Sequence, residues 1–324
     1  MAKMKKSAII WLIIAASLVV LGLFTVTVSI ALAGFDLSGF GTVQYETNSY
    51  EIDEEFSNIS INADTTDITV KRSDDDKVRV VCYEESKIRH SVAVEHGTLT
   101  IEQVDERKWY DYIGIGFEGT NVTVYLPDGV YGDLSVNIDT GDTEIGRDLL
   151  FESIDIDSDT GDVTNYAWAT GTVKIKTTTG GITLEDVLAE AFDLTVSTGN
   201  IKATDVNCRG EIDHKCSTGK SFFENVNCES IISIGSTGDM TLKDVVATKS
   251  FSIERSTGDV RFEGSDAAEI FVKTDTGYVE GSLLSDKVFL VETDTGDVDV
   301  PNTITGGRCE ITTDTGDIAI SVSK

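Results

Sequence analysis

Residues Ile253–Phe262 read IERSTGDVRF, and the Ser-Thr-Gly-Asp at their centre returns with small changes along the second half of the chain. Thr-Gly pairs place glycine at Gly141, Gly161, Gly180, Gly199, Gly219, Gly238, Gly258, Gly277, Gly296 and Gly316. Successive glycines stand 19 or 20 residues apart throughout. A register held that closely is the mark of a repeat architecture.

Counting from each glycine aligns four apolar rows. Seven residues before it stand Leu134, Ile154, Val173, Phe192, Ile212, Phe251, Ile270 and Phe289, and five before it Val136, Ile156, Ile175, Leu194, Ile253, Val272, Val291 and Ile311. Two residues after it come Val163, Ile182, Ile201, Met240, Val260, Val279, Val298 and Ile318, and four after it Ile145, Leu184, Phe223, Leu242, Phe262, Val300 and Ile320. Within each half the apolar positions alternate, which is the period of a strand. The β-branched and aromatic bias agrees. Each unit is two short strands around a turn, too small to bury its own apolar face. Stacking the units makes one narrow core, so the predicted fold is an all-β β-solenoid of about ten coils. Glycine in the corner supplies the positive φ of a tight turn, and Thr and Asp beside it hydrogen-bond the turn backbone.

NADTTDITV, Asn62–Val70, repeats the pattern with Thr66 in the glycine's place. Between it and Gly141 lies an excursion, Glu84–Gly119, expected to cap or decorate the first coils. The expected division is 1–6 cytoplasmic, 7–35 membrane anchor, 36–133 N-terminal coils with a cap, and 134–324 regular repeats. The last strand, Ile318–Val322, has no polar cap after it. That predicts an open sheet edge there and a route to self-association or strand addition.

The triplet Asp-Thr-Gly, at Asp139, Asp159, Asp275, Asp294 and Asp314, is also the one aspartic proteases use. Those enzymes bring two carboxylates face to face to share a proton. Here the acids follow one edge of a rod, and Thr178, Ser197, Ser217, Ser236 and Ser256 replace them in other repeats. A corner tolerates that exchange and a catalytic pair does not. No phosphate loop, nucleophile triad or HExxH stands elsewhere, so a non-catalytic protein without a resident cofactor is expected. The acidic corners leave one cofactor open. Asp139, Asp142, Asp159, Asp162, Asp294, Asp297, Asp314 and Asp317 form stacked rows whose repulsion weakly held Ca²⁺ would relieve. The plainer alternative is a solvated acidic edge that keeps the rod soluble.

His214 falls in the inward row five before Gly219, with Ser233 in the next coil and Cys216 two residues on; a tolerated polar defect in the core is expected there, with a Cys-His metal site or catalytic pair as the alternative. Cys208 and Cys228 both follow a glycine by nine residues, close enough for a disulfide or for stacked free thiols. Five scattered cysteines do not make a disulfide scaffold.

The chain carries 26 basic against 56 acidic side chains, a net charge of −30. Phosphate backbones would be repelled, which excludes a nucleic-acid partner. The first residues differ. Three lysines within Met1–Lys6 precede an uncharged run, Ser7–Phe35. Its length predicts one transmembrane helix with the lysines cytoplasmic and the solenoid extracytoplasmic, at the cell membrane. Ala31-Leu32-Ala33 leaves open a cleaved signal peptide, and either reading exports the rest.

A charged start, one apolar span and then IDTGDTEI, GSTGDMTL, RSTGDVRF, TDTGDVDV and TDTGDIAI in register, with LPDG at Leu126–Gly129 before them, resemble a bacterial family of unknown function labelled putative adhesins, which includes LiaG-like envelope proteins. The resemblance covers about Asn58 to Lys324. It implies a surface-exposed β-solenoid linked to adhesion or envelope stress, with no catalytic residues to carry over. Gly181, Asn200, Lys220 and Tyr278 depart from the corner Asp. The expected function is an adhesin-like binding or structural module with an unknown protein or cell-surface ligand. The alternative is an envelope-stress accessory contacting a membrane sensor or transporter of its own cell. A polysaccharide-active enzyme would need carboxylates clustered near aromatic platforms, and Trp109, Tyr110, Tyr112 and Trp168 are the aromatics on offer.

Overall fold

A computed structural model describes residues 6–32, 43–109 and 119–323. Residues 6–32 form one helix, Lys6–Leu32, with no acid in its first turn. Its side chains are described from residue 14 onward, apart from residue 30. Among the described residues no helix is long and apolar enough to cross a membrane, so the expected anchor over 7–35 is not shown.

All the remaining elements are strands. In each coil a strand leads into the glycine and another leaves it, as in Leu150–Thr160 and Val163–Asn165 around Gly161. Equivalent strands of neighbouring coils pair in parallel and keep the corner rows in register: Ile154 lies beside Val173 and Leu134, and Val163 beside Ile182 and Thr143. This register puts identical positions on top of one another. A row that is apolar in sequence thus becomes a continuous apolar column in space. Register shifts at Cys228/Ser230, Ala247/Ser250 and Glu263/Ser265 lie away from the glycine corner.

The four rows face inward. Leu134, Ile156, Ile182 and Leu242 are buried, and one contiguous core runs from Ile59 to Ile320. From Ser221 onward the strands lengthen. Ser221–Thr237, Met240–Thr257 and Val260–Thr276 each run through the side of one coil and into the next. Six residues after the glycine, the coils from Gly180 to Gly258 bend a second time. Asp186, Asp205, Asn225, Asp244 and Gly264 have φ between 52° and 63° there, the left-handed conformation that Asp, Asn and Gly tolerate best.

The coils do not stack in chain order at either end, and this corrects the expected open edge at Ile318–Val322. That strand is paired on both sides, with Val279–Leu283 and with Val298–Asp299. Its partner in the coil, Gly307–Thr315, lies between Val260–Thr276 and Lys287–Thr295. The Gly316 coil is therefore inserted between the Gly277 and Gly296 coils. The end of the stack is the earlier segment, Lys287–Asp299. Val298, predicted inward, is 46% exposed for this reason.

The other end mirrors it. The Thr66 coil, Asn58–Thr65 and Asp67–Arg72, sits between the Gly141 coil and a coil made of Thr98–Asp105 and Asn121–Leu126. Beyond these, Ile88–Glu95, Val78–Glu85 and Tyr45–Ile52 add antiparallel strands. The excursion after Glu84 is thus part of the stack and its cap. Chain reversal at each end locks the terminal coil between two others.

Candidate functional site

Corner glycines have φ from 131° to 159°. A Cβ on Gly161 would lie 2.0 Å from the Gly141 carbonyl oxygen, so glycine is required twice over, by conformation and by space. The Gly161 N–H donates to the Thr179 carbonyl at 2.9 Å. Inside the corner the Thr177, Thr274 and Thr313 hydroxyls donate to glycine carbonyls one coil away.

The acid after the glycine has a backbone partner. Asp67 Oδ1 accepts the Asp142 N–H at 2.9 Å, Asp142 Oδ1 accepts the Asp162 N–H at 2.8 Å, and Asp162 Oδ1 accepts the Gly181 N–H at 2.7 Å. Asn200 does the same for Lys220, and Asp317 for Asp297. The row is a ladder of side-chain acceptors for corner amides, which Asn serves as well as Asp. Asp139, Asp142, Asp159, Asp162, Asp294, Asp297, Asp314 and Asp317 are all exposed. The cluster of three potential metal ligands that the described residues do gather, Cys82, Glu84 and His90, lies elsewhere.

His214 is the centre of a polar knot in the core. Its ring nitrogens meet Ser233 Oγ at 2.8 Å and Ser221 Oγ at 2.9 Å. Arg255 Nη2 donates to Ser233 Oγ at 2.8 Å and lies 3.1 Å from Met240 Sδ. Three coils contribute. Gly235 makes the room, since a Cβ there would come 2.2 Å from Arg255 Nη1. Burial, with the Arg255 charge second, pushes the His214 imidazole down to about 3, and burial brings the Arg255 guanidinium down to about 10. Both His214 ring nitrogens and the Ser221 and Ser233 hydroxyls are turned to neighbours inside the rod, so the knot specifies packing. Cys208 and Cys228 are buried free thiols in adjacent coils. Burial raises them to about 11 and about 12, which keeps them unreactive.

On the flank a cleft of about 340 Å³ opens beside the second bend. Arg72, Arg147, Tyr166, Trp168 and Asp186 line it, with Asp128, Asp148 and two leucines. Trp168 is 47% exposed, and its Nε1 donates to the Asp186 carbonyl at 2.8 Å. That bond fixes the indole, so the exposed ring is held rather than swinging. The Arg147 guanidinium stacks 4.5 Å over the Tyr166 ring and reaches Glu185 at 2.6 Å and Asp186 at 3.4 Å. Arg72 pairs with Asp128 and lies 4.0 Å from Asp148. An aromatic face, two planar guanidiniums and three carboxylates thus converge on one groove. Among the expected platforms only Trp168 lines it. Trp109 is 79% exposed outside this lining, and Tyr110 and Tyr112 lie outside the described residues.

Sequence reasoning missed the arginines and the second bend. The signal was there: Glu185-Asp186, Thr204-Asp205, Glu224-Asn225, Lys243-Asp244 and Glu263-Gly264 form a second row of turn residues in register.

Parallel coils, a glycine corner capped by side chains and a lateral aromatic cleft define a β-solenoid of interleaved ends. The chain belongs to the Toastrack DUF4097 family, whose profile matches residues 56–215 and 209–324. Among solved structures it is similar to a "putative adhesin" of Bacteroides fragilis NCTC 9343, at 17% identity over 86% of this chain and 97% of that one, with a TM-score of 0.41. It is also similar to a "putative lipid binding protein" of Parabacteroides distasonis ATCC 8503, at 14% identity over 74% and 95%, TM-score 0.48. A "putative adhesin" of the same organism matches at 12% identity over 84% and 98%, TM-score 0.46. No curated protein matches.

Proposed function

We propose that the chain is a non-catalytic, adhesin-like binding module held outside the cell membrane by its uncharged N-terminal run, Ser7–Phe35, and that it takes a polyhydroxylated surface polymer in the Trp168 cleft. The observation that carries this reading is the fixed, half-exposed Trp168 ring flanked by Arg72, Arg147, Asp128, Asp148 and Asp186. One face of a sugar ring is C–H and stacks on an indole, while its hydroxyls need the fork of an arginine and the oxygens of carboxylates. A groove of this size with few convergent polar groups is how small ligands are oriented. The carboxylates are surface groups paired with arginine, an arrangement suited to accepting hydroxyl protons in hydrogen bonds. The anchor is supported by the uncharged run Ser7–Phe35 behind three lysines.

The test is a glycan array probed with the full chain and with Trp168→Ala. Retained signal on a defined class of saccharide, lost in the variant, supports the reading. Equal signal from both chains removes the cleft from it.

A second reading, an envelope accessory docked on a membrane sensor or transporter of the same cell, is favoured by the end coil. Among the described residues Lys287–Thr295 and Val298–Asp299 are each paired on one side, with Leu290 and Val298 exposed. A partner strand could extend the sheet there. Crosslinking from Leu290 in intact cells tests it: a single membrane-protein adduct supports it, and the absence of adducts counts against it.

A further inference from the structure

Three buried side chains of metal-binding type meet where the N-terminal cap closes the rod. Cys82 and Glu84 point inward from the strand Val78–Glu85, and His90 from the strand Ile88–Glu95. Cys82 and Glu84 are 0% exposed and His90 is 3% exposed. Each offers a ligand atom, and those atoms all lie within 4.8 Å of one another. Ligands around a tetrahedral ion with bonds of about 2.0–2.3 Å stand roughly 3–4 Å apart. A small inward shift closes the gap.

The hydrogen bonds of His90 set its ring. Glu84 Oε2 accepts the His90 backbone N–H at 2.6 Å and sits 2.7 Å from Nδ1. Glu84 Oε1 accepts from Asn48 Nδ2 at 2.6 Å. Nδ1 and Oε2 thus already face each other inside the cap, with Cys82 the third member of the cluster. An ion that displaces the proton shared between Nδ1 and the carboxylate takes both as ligands.

We propose that Cys82, Glu84 and His90 form a structural site for a divalent transition-metal ion, with Zn²⁺ as the best match. The donor set decides the class. Thiolate sulfur, imidazole nitrogen and carboxylate oxygen are the ligands Zn²⁺ takes, whereas Ca²⁺ and Mg²⁺ prefer oxygen alone. A thiolate and a carboxylate together balance the ion's charge. The position gives the ion a task. Val78–Glu85 belongs to the strand stack leaving the glycine corner and Ile88–Glu95 to the stack entering it, and the two strands meet at one pair, Glu85 with Ile88. The ion cross-links the two walls where backbone pairing is thinnest. His90 also lines a cavity of about 310 Å³ with Asp64, Gln103 and Arg107, which offers an entry path.

The test uses the full chain in detergent, stripped with a chelator and titrated with Co²⁺ and then Zn²⁺. The expected result is a thiolate-to-cobalt charge-transfer band that saturates at one equivalent, is bleached by Zn²⁺, and accompanies a rise in melting temperature. Cys82→Ser, near-isosteric and checked for a native circular dichroism spectrum, should lose the band and bind Zn²⁺ at least about tenfold more weakly. Glu84→Gln should keep the band with weakened affinity. A folded wild-type chain that shows neither band nor metal-dependent melting overturns the proposal, as does a band that survives in Cys82→Ser.

Discussion

The Oδ1 of Asp142 accepts the backbone N–H of Asp162 at 2.8 Å, one coil along the stack. Two acids sit side by side because one of them satisfies the other's main chain. The corner row is therefore an acceptor ladder whose charge is incidental to its bonding. Asp142→Ala should cost about 0.5–1.5 kcal/mol in a urea melt, and Asp142→Asn close to nothing, because the amide oxygen accepts the same bond. Added Ca²⁺ should shift both variants and the wild type alike.

Gly161→Ala is the sharpest fold test. Its Cβ would meet a backbone oxygen at 2.0 Å while φ stays at 144°. Neither neighbour can retreat, since both are fixed by coils on each side. A loss of about 3 kcal/mol or more is expected. Gly119→Ala, where a Cβ meets nothing within 4 Å, should be near neutral.

His214 predicts a pH dependence. An unfolded histidine titrates near about 6.5, and the buried ring is held down at about 3 by desolvation and by Arg255. The unfolded chain then takes the proton first. Stability is complete above the unfolded value and is lost as pH falls toward about 3, with a slope of up to about 1.4 kcal/mol per pH unit. His214→Gln should flatten the denaturation profile between about pH 7 and 5, where most carboxylates stay ionised.

Gly235 and Arg255 should couple. Gly235→Ala forces a methyl group to 2.2 Å from Arg255 Nη1 and is expected to destabilise by about 1–3 kcal/mol. Arg255→Met removes that clash and a buried cation together. The double variant should be more stable than the sum of the singles by about 1 kcal/mol or more, read from a double-mutant cycle.

Much of this fold was legible because the repeat writes its geometry twice, as spacing and as alternation. Leu134, Ile156 and Ile182 could be placed inward from their rows alone. Stack order could not be read the same way. Every coil presents the same edge chemistry, so nothing in TDTGDIAI says that Gly316 lies between Gly277 and Gly296. The Trp168 cleft was half legible. A lone tryptophan within the repeats stands out, but Arg72 and Arg147 are 75 residues apart in sequence and meet only through the inserted Thr66 coil. Cys82 and His90 were hidden because neither the stretch just before Glu84 nor the excursion after it carries the repeat register. The corner acids were visible as a row, while their backbone partners required the coil-to-coil distance.

The most direct test of the functional account is the emission of Trp168 itself, in a full chain whose other tryptophans, Trp11 and Trp109, are replaced by Phe. Stacking of a saccharide on the indole predicts a saturable change in emission on adding purified cell-surface polysaccharide, abolished by Arg147→Ala together with Arg72→Ala. Emission unchanged across the titration, with the chain folded, would contradict a binding role for the cleft.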